Sequence, residues 1–163
     1  HGGGKIINVS SLAGQIVGPL MGLYAASKFA VEAMSEALRY EVSRWGVDVT
    51  ILEPGMYQSD WQVASLDVTA AVRDGVSLYQ PSVDAALAEF RARAATRPGS
   101  RTIATSVADI VELEQPLPMR WPVGEDTDQA IRQRQAMTDA QWEAQIRGDT
   151  EGYRSAFFRA ERA

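Results

Sequence analysis

A strand, a long helix and a second strand open this chain in close succession, and that order constrains its fold more than any other feature. Lys5-Ile6-Ile7-Asn8-Val9 is an apolar run of strand length that closes on the hydroxyls of Ser10 and Ser11. From about Gly22 to Trp45 the positions Ala26, Phe29, Ala30, Ala33, Met34, Ala37, Leu38 and Val42 recur at helical spacing, while Glu32, Glu36, Arg39 and Ser43 fall largely on the other side. Gly46 supplies a C-cap. The run Val47 to Leu52 then begins at once and stops at Glu53-Pro54-Gly55. Such a unit packs as two parallel strands with a right-handed crossover, so the polar groups that end each strand come to one edge of the sheet.

The helix carries chemistry at its start. Tyr24-Ala25-Ala26-Ser27-Lys28 sets a phenol and an ammonium four residues apart, on one helix face. An ammonium beside a phenol favours the ionised form and lowers its pKa from roughly 10, which makes the pair a candidate for general acid/base work. Ser11 stands thirteen positions before Tyr24, at the end of the first strand. Taken singly, Tyr24 reads as a packed helix residue; the conjunction with Ser11, Lys28 and Pro54-Gly55 is what points to a site. Strand alternation turns the neighbouring Ser10 to the opposite side, in a structural role.

Asn8-Val9-Ser10-Ser11, Tyr24-Ala25-Ala26-Ser27-Lys28 and Pro54-Gly55-Met56-Tyr57-Gln58-Ser59, in this order and at these separations, resemble the short-chain dehydrogenase/reductase family. The resemblance is firm over residues 1 to about 60 and weaker to about 126, where Met119 to Val123 looks like the family's last sheet strand. It implies an α/β fold, a Rossmann-like doubly wound parallel sheet of which this chain holds the C-terminal part, without the N-terminal Gly-rich turn that receives a dinucleotide pyrophosphate. It further implies an NAD(P)-dependent oxidoreductase interconverting an alcohol and a ketone or aldehyde, with NAD or NADP as cofactor and the choice undetermined.

Roles follow residue by residue from the resemblance. Tyr24 would exchange the proton with the substrate oxygen, Lys28 would assist it and bind the nicotinamide ribose, and Ser11 would hold the substrate oxygen. Pro54 and Gly55 would let the backbone pass close to the nicotinamide. Ser59 takes the place of a family Thr that contacts the carboxamide, and Tyr57 stands where relatives carry a smaller residue. On this reading the isolated chain, with an open sheet edge at its first strand, is expected to be inactive and marginally stable. The alternative is an inactive fragment or interaction module that binds no cofactor.

Composition bounds the remaining possibilities. The chain has 163 residues, 45% of them hydrophobic and 23% charged, enough to bury a core. A net charge of −5 without a basic run argues against nucleic acid as a partner. Zero cysteines exclude disulfides and thiolate chemistry. No stretch reads as a signal peptide or membrane span, so a soluble, cytoplasmic protein is expected. The sole histidine, in His1-Gly2-Gly3-Gly4, makes an oxyanion turn with a triad implausible, and Asn8-Val9-Ser10 is a sequon inside a strand. Glu112 with Glu114, and Glu125 with Asp126, read as solvated charges, and no metal site is expected.

The chain is expected to form one domain with four segments. The resemblance implies that residues 1–55 hold the catalytic strand-helix-strand, 56–103 a substrate-covering region, 104–126 a short helix and the last strand, and 127–163 a helical tail. The second segment scatters Trp61, Val63, Leu66 and Tyr79 before a helix from Ser82 to about Ala95, suggesting a fairly apolar substrate. Ser106 reads as the cap of a helix through Glu112. The tail places Trp142, Ile146, Tyr153, Phe157 and Phe158 on one or two amphipathic helices broken near Gly148. The small residues Ala26, Ala30, Ala33 and Ala37 permit packing on the sheet or on a second subunit. The family resemblance implies a homo-oligomer and a small-molecule alcohol or carbonyl as partner.

Overall fold

A computed structural model describes residues 3–59 and 68–148. They separate into two compact units. The first comprises residues 3–55 and 100–136 and contains the sheet. The second comprises the remaining described residues.

In the first unit three parallel strands lie in the order β1-β2-β3, with β1 at Gly4–Val9, β2 at Val47–Pro54 and β3 at Arg120–Val123. Register runs from Gly4 against Val47 to Val9 against Leu52, and from Ile51 against Arg120 to Pro54 against Val123. Every residue of β2 from Val49 to Pro54 is buried, as expected of a parallel strand covered on both faces. The architecture is α/β and partly Rossmann-like. The strand that was expected to stop at Leu52 continues through Pro54, because pairing with β3 extends the ladder to Val123.

Helix α1 spans Gly22–Val42 and tightens into a 3-10 turn at Ser43–Trp45, so the expected single helix to Trp45 ends on a narrower turn. Gly46 closes it in the left-handed conformation, φ 68°, a geometry that glycine adopts without a Cβ penalty. The loop after β1 contains a second 3-10 turn at Leu12–Gly14.

The side of α1 turned inward is polar. Glu32 and Ser35 are buried along with Ala25, whereas Ala26, Phe29, Ala30, Ala33, Met34 and Ala37 are exposed. Each inward group has a partner. Ser35 Oγ donates to the Val31 carbonyl at 2.6 Å and accepts from Asn8 Nδ2 of β1 at 2.8 Å. Arg39 donates to the carbonyls of Val49 and Leu117, the latter at 2.6 Å, and approaches Asp48 to 3.9 Å. Buried polar groups are tolerated when satisfied in this way.

Two more helices complete the first unit. α4 covers Arg101–Glu112 and α5 covers Glu125–Gln135. Ser106 is therefore inside a helix rather than at its cap. The helix starts immediately after the Pro98-Gly99-Ser100 break, and the Ser106 hydroxyl bonds back to the Thr102 carbonyl at 3.2 Å. Lys5 Nζ donates to the carbonyls of Ile110, Val111 and Leu113, the end of a helix where a cation is favoured. The core of the unit is Val49, Ile51, Leu52, Ile110, Leu117, Val123 and Ile131. β3 begins at Arg120, one residue later than the sequence suggests, while the Met119 carbonyl still accepts from Ile51 N at 2.8 Å.

In the second unit α2 is a short turn of helix at Ala70–Arg73, α3 spans Gln80–Ala95 and α6 spans Asp139–Gly148. α3 starts two residues before the expected Ser82, with Pro81 in its first turn, a position where the missing N–H costs nothing. Val83, Ala86 and Ala94 of α3 are buried. Trp61, Val63, Leu66, Tyr153, Phe157 and Phe158 lie outside the described residues.

Candidate active site

The expected site residues of the first unit gather at the C-terminal ends of β1 and β2. Lys28, one turn after Tyr24, extends its ammonium to the Val9 carbonyl at 3.1 Å. The same nitrogen lies 5.8 Å from the centre of the Tyr24 ring. The i,i+4 spacing thus sets the ammonium beside the Tyr24 ring, and the ammonium is anchored to the last residue of β1.

Ser11 is fixed by its own backbone. It caps the 3-10 turn, accepting from Ala13 N at 3.1 Å, and its hydroxyl reaches the Pro54 carbonyl at 3.4 Å. One hydroxyl therefore bridges the loop after β1 and the end of β2. Ser10 N bonds to the Leu52 carbonyl at 2.8 Å, and its side chain is buried, 3% exposed. The two adjacent serines occupy different environments.

Gly55 follows Pro54 with its α-carbon against Thr127 of α5. A methyl group there would collide with the Thr127 hydroxyl. Tyr57 and Ser59 belong to the second unit, where Tyr57 is buried and Ser59 exposed. Gln58 between them bonds through its N–H to the Pro98 carbonyl at 2.9 Å. Among the described residues no group of three His, Cys, Asp or Glu side chains is placed to hold a metal ion, and no helix is long and apolar enough to cross a membrane.

Directly behind this edge lies a polar cluster that motif reasoning missed. Gln15 Nε2 donates to Glu53 Oε1 at 2.9 Å and to Glu32 Oε2 at 3.3 Å. Arg120 pairs through Nε with Glu32 at 3.0 Å and through Nη2 with Glu36 at 2.8 Å, and its Nε stands 3.7 Å from Glu53. The Tyr40 hydroxyl donates to Glu36 Oε1 at 3.0 Å. Glu36 is held below the usual carboxylate range by its bonds to Arg120 and Tyr40, and Tyr40 is raised by Glu36. Glu53 is 1% exposed. Burial, and then the neighbouring Glu32 charge, push it up to about 7. One sequence signal existed: Glu53 is an acid at the end of an otherwise apolar strand.

Comparison with known proteins agrees with this architecture. The sequence model of the short chain dehydrogenase family matches residues 1–68. An uncharacterized oxidoreductase of Bacillus subtilis, YusZ, is 28% identical over 88% of this chain and 51% of its own length. Oxidoreductase BOA17 of Botryotinia fuckeliana is 33% identical over 76% of this chain and 43% of its own length. The chain thus spans about half the length of these relatives. Among solved structures, a short chain dehydrogenase/reductase from Burkholderia phymatum, in complex with NAD, shares the fold with TM-score 0.63 at 23% identity, over 88% of this chain and 49% of the other. A short chain dehydrogenase from Burkholderia cenocepacia, in complex with NADP, gives TM-score 0.59 at 20% identity, over 88% and 46%. Motif order, the family model matched over residues 1–68 and these relatives together support a place for the chain in the short-chain dehydrogenase family.

Proposed function

We propose that the protein is an NAD(P)-dependent oxidoreductase that interconverts a small, fairly apolar alcohol and its ketone or aldehyde, with Ser11, Tyr24 and Lys28 as its catalytic residues. The observation that carries this reading is the placement of Lys28, whose ammonium is anchored on Val9 and lies beside the Tyr24 ring. The relatives named as oxidoreductases, and the similar structures in complex with NAD and with NADP, support the reaction class and the cofactor class.

The residues at the sheet edge suit the nicotinamide end of such a cofactor. An ammonium has three donors, and the Val9 carbonyl takes one, leaving capacity for ribose hydroxyls. Gly55 presents backbone without a side chain, its α-carbon backed by Thr127, at the carboxyl ends of parallel strands where ligands of α/β sheets bind. Tyr57 and Ser59 are assigned to the carboxamide side by the Pro-Gly-x-x-x-Ser pattern. When bound, the nicotinamide supplies or accepts the hydride.

The chain's own groups handle the oxygen and its proton. Tyr24 donates its phenolic proton to the carbonyl oxygen in reduction and receives one from the alcohol in oxidation. Lys28 stabilises the phenolate that reduction leaves behind. Ser11, its hydroxyl pinned near the Pro54 carbonyl, bonds the substrate oxygen and orients it toward Tyr24. The exposed apolar side of α1, from Ala26 to Ala37, supports a contact with a second subunit.

Substitution of Lys28 tests the reading. In the full-length protein Lys28→Ala is expected to weaken NAD(P)H binding in a fluorescence titration and to lower kcat together. Unchanged cofactor affinity and turnover would remove Lys28, and with it the proposed site.

A further inference from the structure

The Glu32, Glu53, Gln15 and Arg120 cluster does more than fill space. Glu32 comes from α1, Glu53 from β2, Gln15 from the loop that carries Ser11, and Arg120 from β3. Gln15 Nε2 hydrogen-bonds both carboxylates, at 3.3 and 2.9 Å. Those bonds use Glu32 Oε2 and Glu53 Oε1. The other two oxygens, Glu32 Oε1 and Glu53 Oε2, are buried and receive no donor, and the buried Ser10 hydroxyl is likewise without a partner. Glu32 Oε1 and Ser10 Oγ both face the α-carbon of Gly14, where a methyl would sit 3.1 and 2.5 Å from them. Two buried carboxylates with bare oxygens share one guanidinium that is itself committed also to Glu36, which sets three carboxylates against a single cation.

We propose that Glu32 and Glu53 share a single proton, and that in this state the pair holds the Ser11 loop, through Gln15, against the end of β2. Among the described residues, Arg120 from β3 faces the pair and carries Glu36 of α1 on its other nitrogen, while the loop contributes the uncharged Gln15 and Ser10. A proton on one carboxyl supplies the donor that a bare oxygen lacks and leaves Arg120 balanced against fewer anions. The elevated Glu53 value agrees with this arrangement. Gln15, Glu32 and Glu53 are positioning residues: they touch neither reacting atom, but Glu53 precedes the Pro54 whose carbonyl meets Ser11. The positioning half rests on the reading of Ser11 above; the shared proton does not.

Because the Glu53 value is raised in the folded chain above its ordinary 4.5, its contribution to stability is full below about 4.5 and is lost as pH rises through about 7. Glu53→Gln is neutral at every pH, and its amide can donate to Glu32. Thermal unfolding of the full-length protein should therefore show the Glu53→Gln melting temperature rising relative to wild type by about 2 °C or more between pH 5 and pH 8. A difference that falls with pH, or does not change, overturns the shared proton. Infrared difference spectra provide a second reading. Wild type should show the carbonyl band of a protonated carboxylic acid at pH 6 that vanishes at pH 9, and Glu53→Gln should lack it; the same band in the variant overturns the assignment. For positioning, Gln15→Ala should lower kcat about tenfold with the cofactor KM unchanged, and an unaltered kcat overturns that role. A wild-type protein without NAD(P)-dependent turnover would count against the reaction class and the positioning role, while the melting and infrared results would still decide the proton.

Discussion

The two faces of α1 invert the usual relation between polarity and burial. Toward the sheet the helix turns Glu32, Ser35 and Arg39, each engaged by a group from another element. Away from the sheet it shows Phe29, 44% exposed, and Met34, 71% exposed. The inward face belongs to the same structure as the site, since it tethers Asn8, the Gln15 loop and Arg120 to the helix that carries Tyr24 and Lys28. Such bonds are directional, so they can fix the helix in rotation and register. The difference teaches that an amphipathic helix need not bury its apolar stripe in its own core when its inward polar side chains are engaged by neighbouring elements.

This contrast can be broken by substitution. Arg120→Met removes the cation from Glu32, Glu36 and Glu53 together. Because the Arg120 side chain is a third exposed, the cost is put at about 2–3 kcal/mol rather than the full penalty of breaking a buried pair, measured by denaturant unfolding of the full-length protein. Gly14→Ala drives a methyl to 2.5 Å from Ser10 Oγ and 3.0 Å from Glu32 Cγ, and should cost about 2 kcal/mol in the same measurement. Ser35→Ala leaves Asn8 Nδ2 without its acceptor, for about 1 kcal/mol. Met34→Gln, on the outward face, should change unfolding of the chain by less than about 0.5 kcal/mol. Any larger effect of Met34→Gln should appear in subunit association, read by sedimentation at several concentrations. If Met34→Gln costs the chain more than Ser35→Ala, the two faces have been assigned the wrong way round.

The sequence reveals the order of β1, α1 and β2 because apolar runs, helical spacing and Gly46 are local signals. It singles out Ser11, Tyr24 and Lys28 as candidates because their spacing is part of a motif. It does not reveal which way α1 faces. Spacing places Ala26, Phe29, Ala30, Ala33, Met34 and Ala37 on one stripe, but burial depends on which partners the sheet offers, and Asn8, Gln15 and Arg120 are 27, 17 and 88 residues from theirs on the helix. Ser106 illustrates the converse error. Its hydroxyl suits a cap, yet the Thr102 carbonyl is equally available to it once the helix begins at Arg101. Glu53 was visible only as an acid at the end of a buried strand, with nothing local to name Glu32 as its neighbour.

The most direct test of the account is Tyr24→Phe in the full-length protein, which deletes one oxygen from the helix face where structure and chemistry meet. Turnover, cofactor affinity and melting temperature would be measured on the same preparation. The account predicts that kcat falls by at least about a hundredfold, with NAD(P)H affinity and melting temperature nearly unchanged. Turnover retained at the wild-type level would contradict it, and Tyr24 would then be a packed residue of α1 rather than the group that moves the proton.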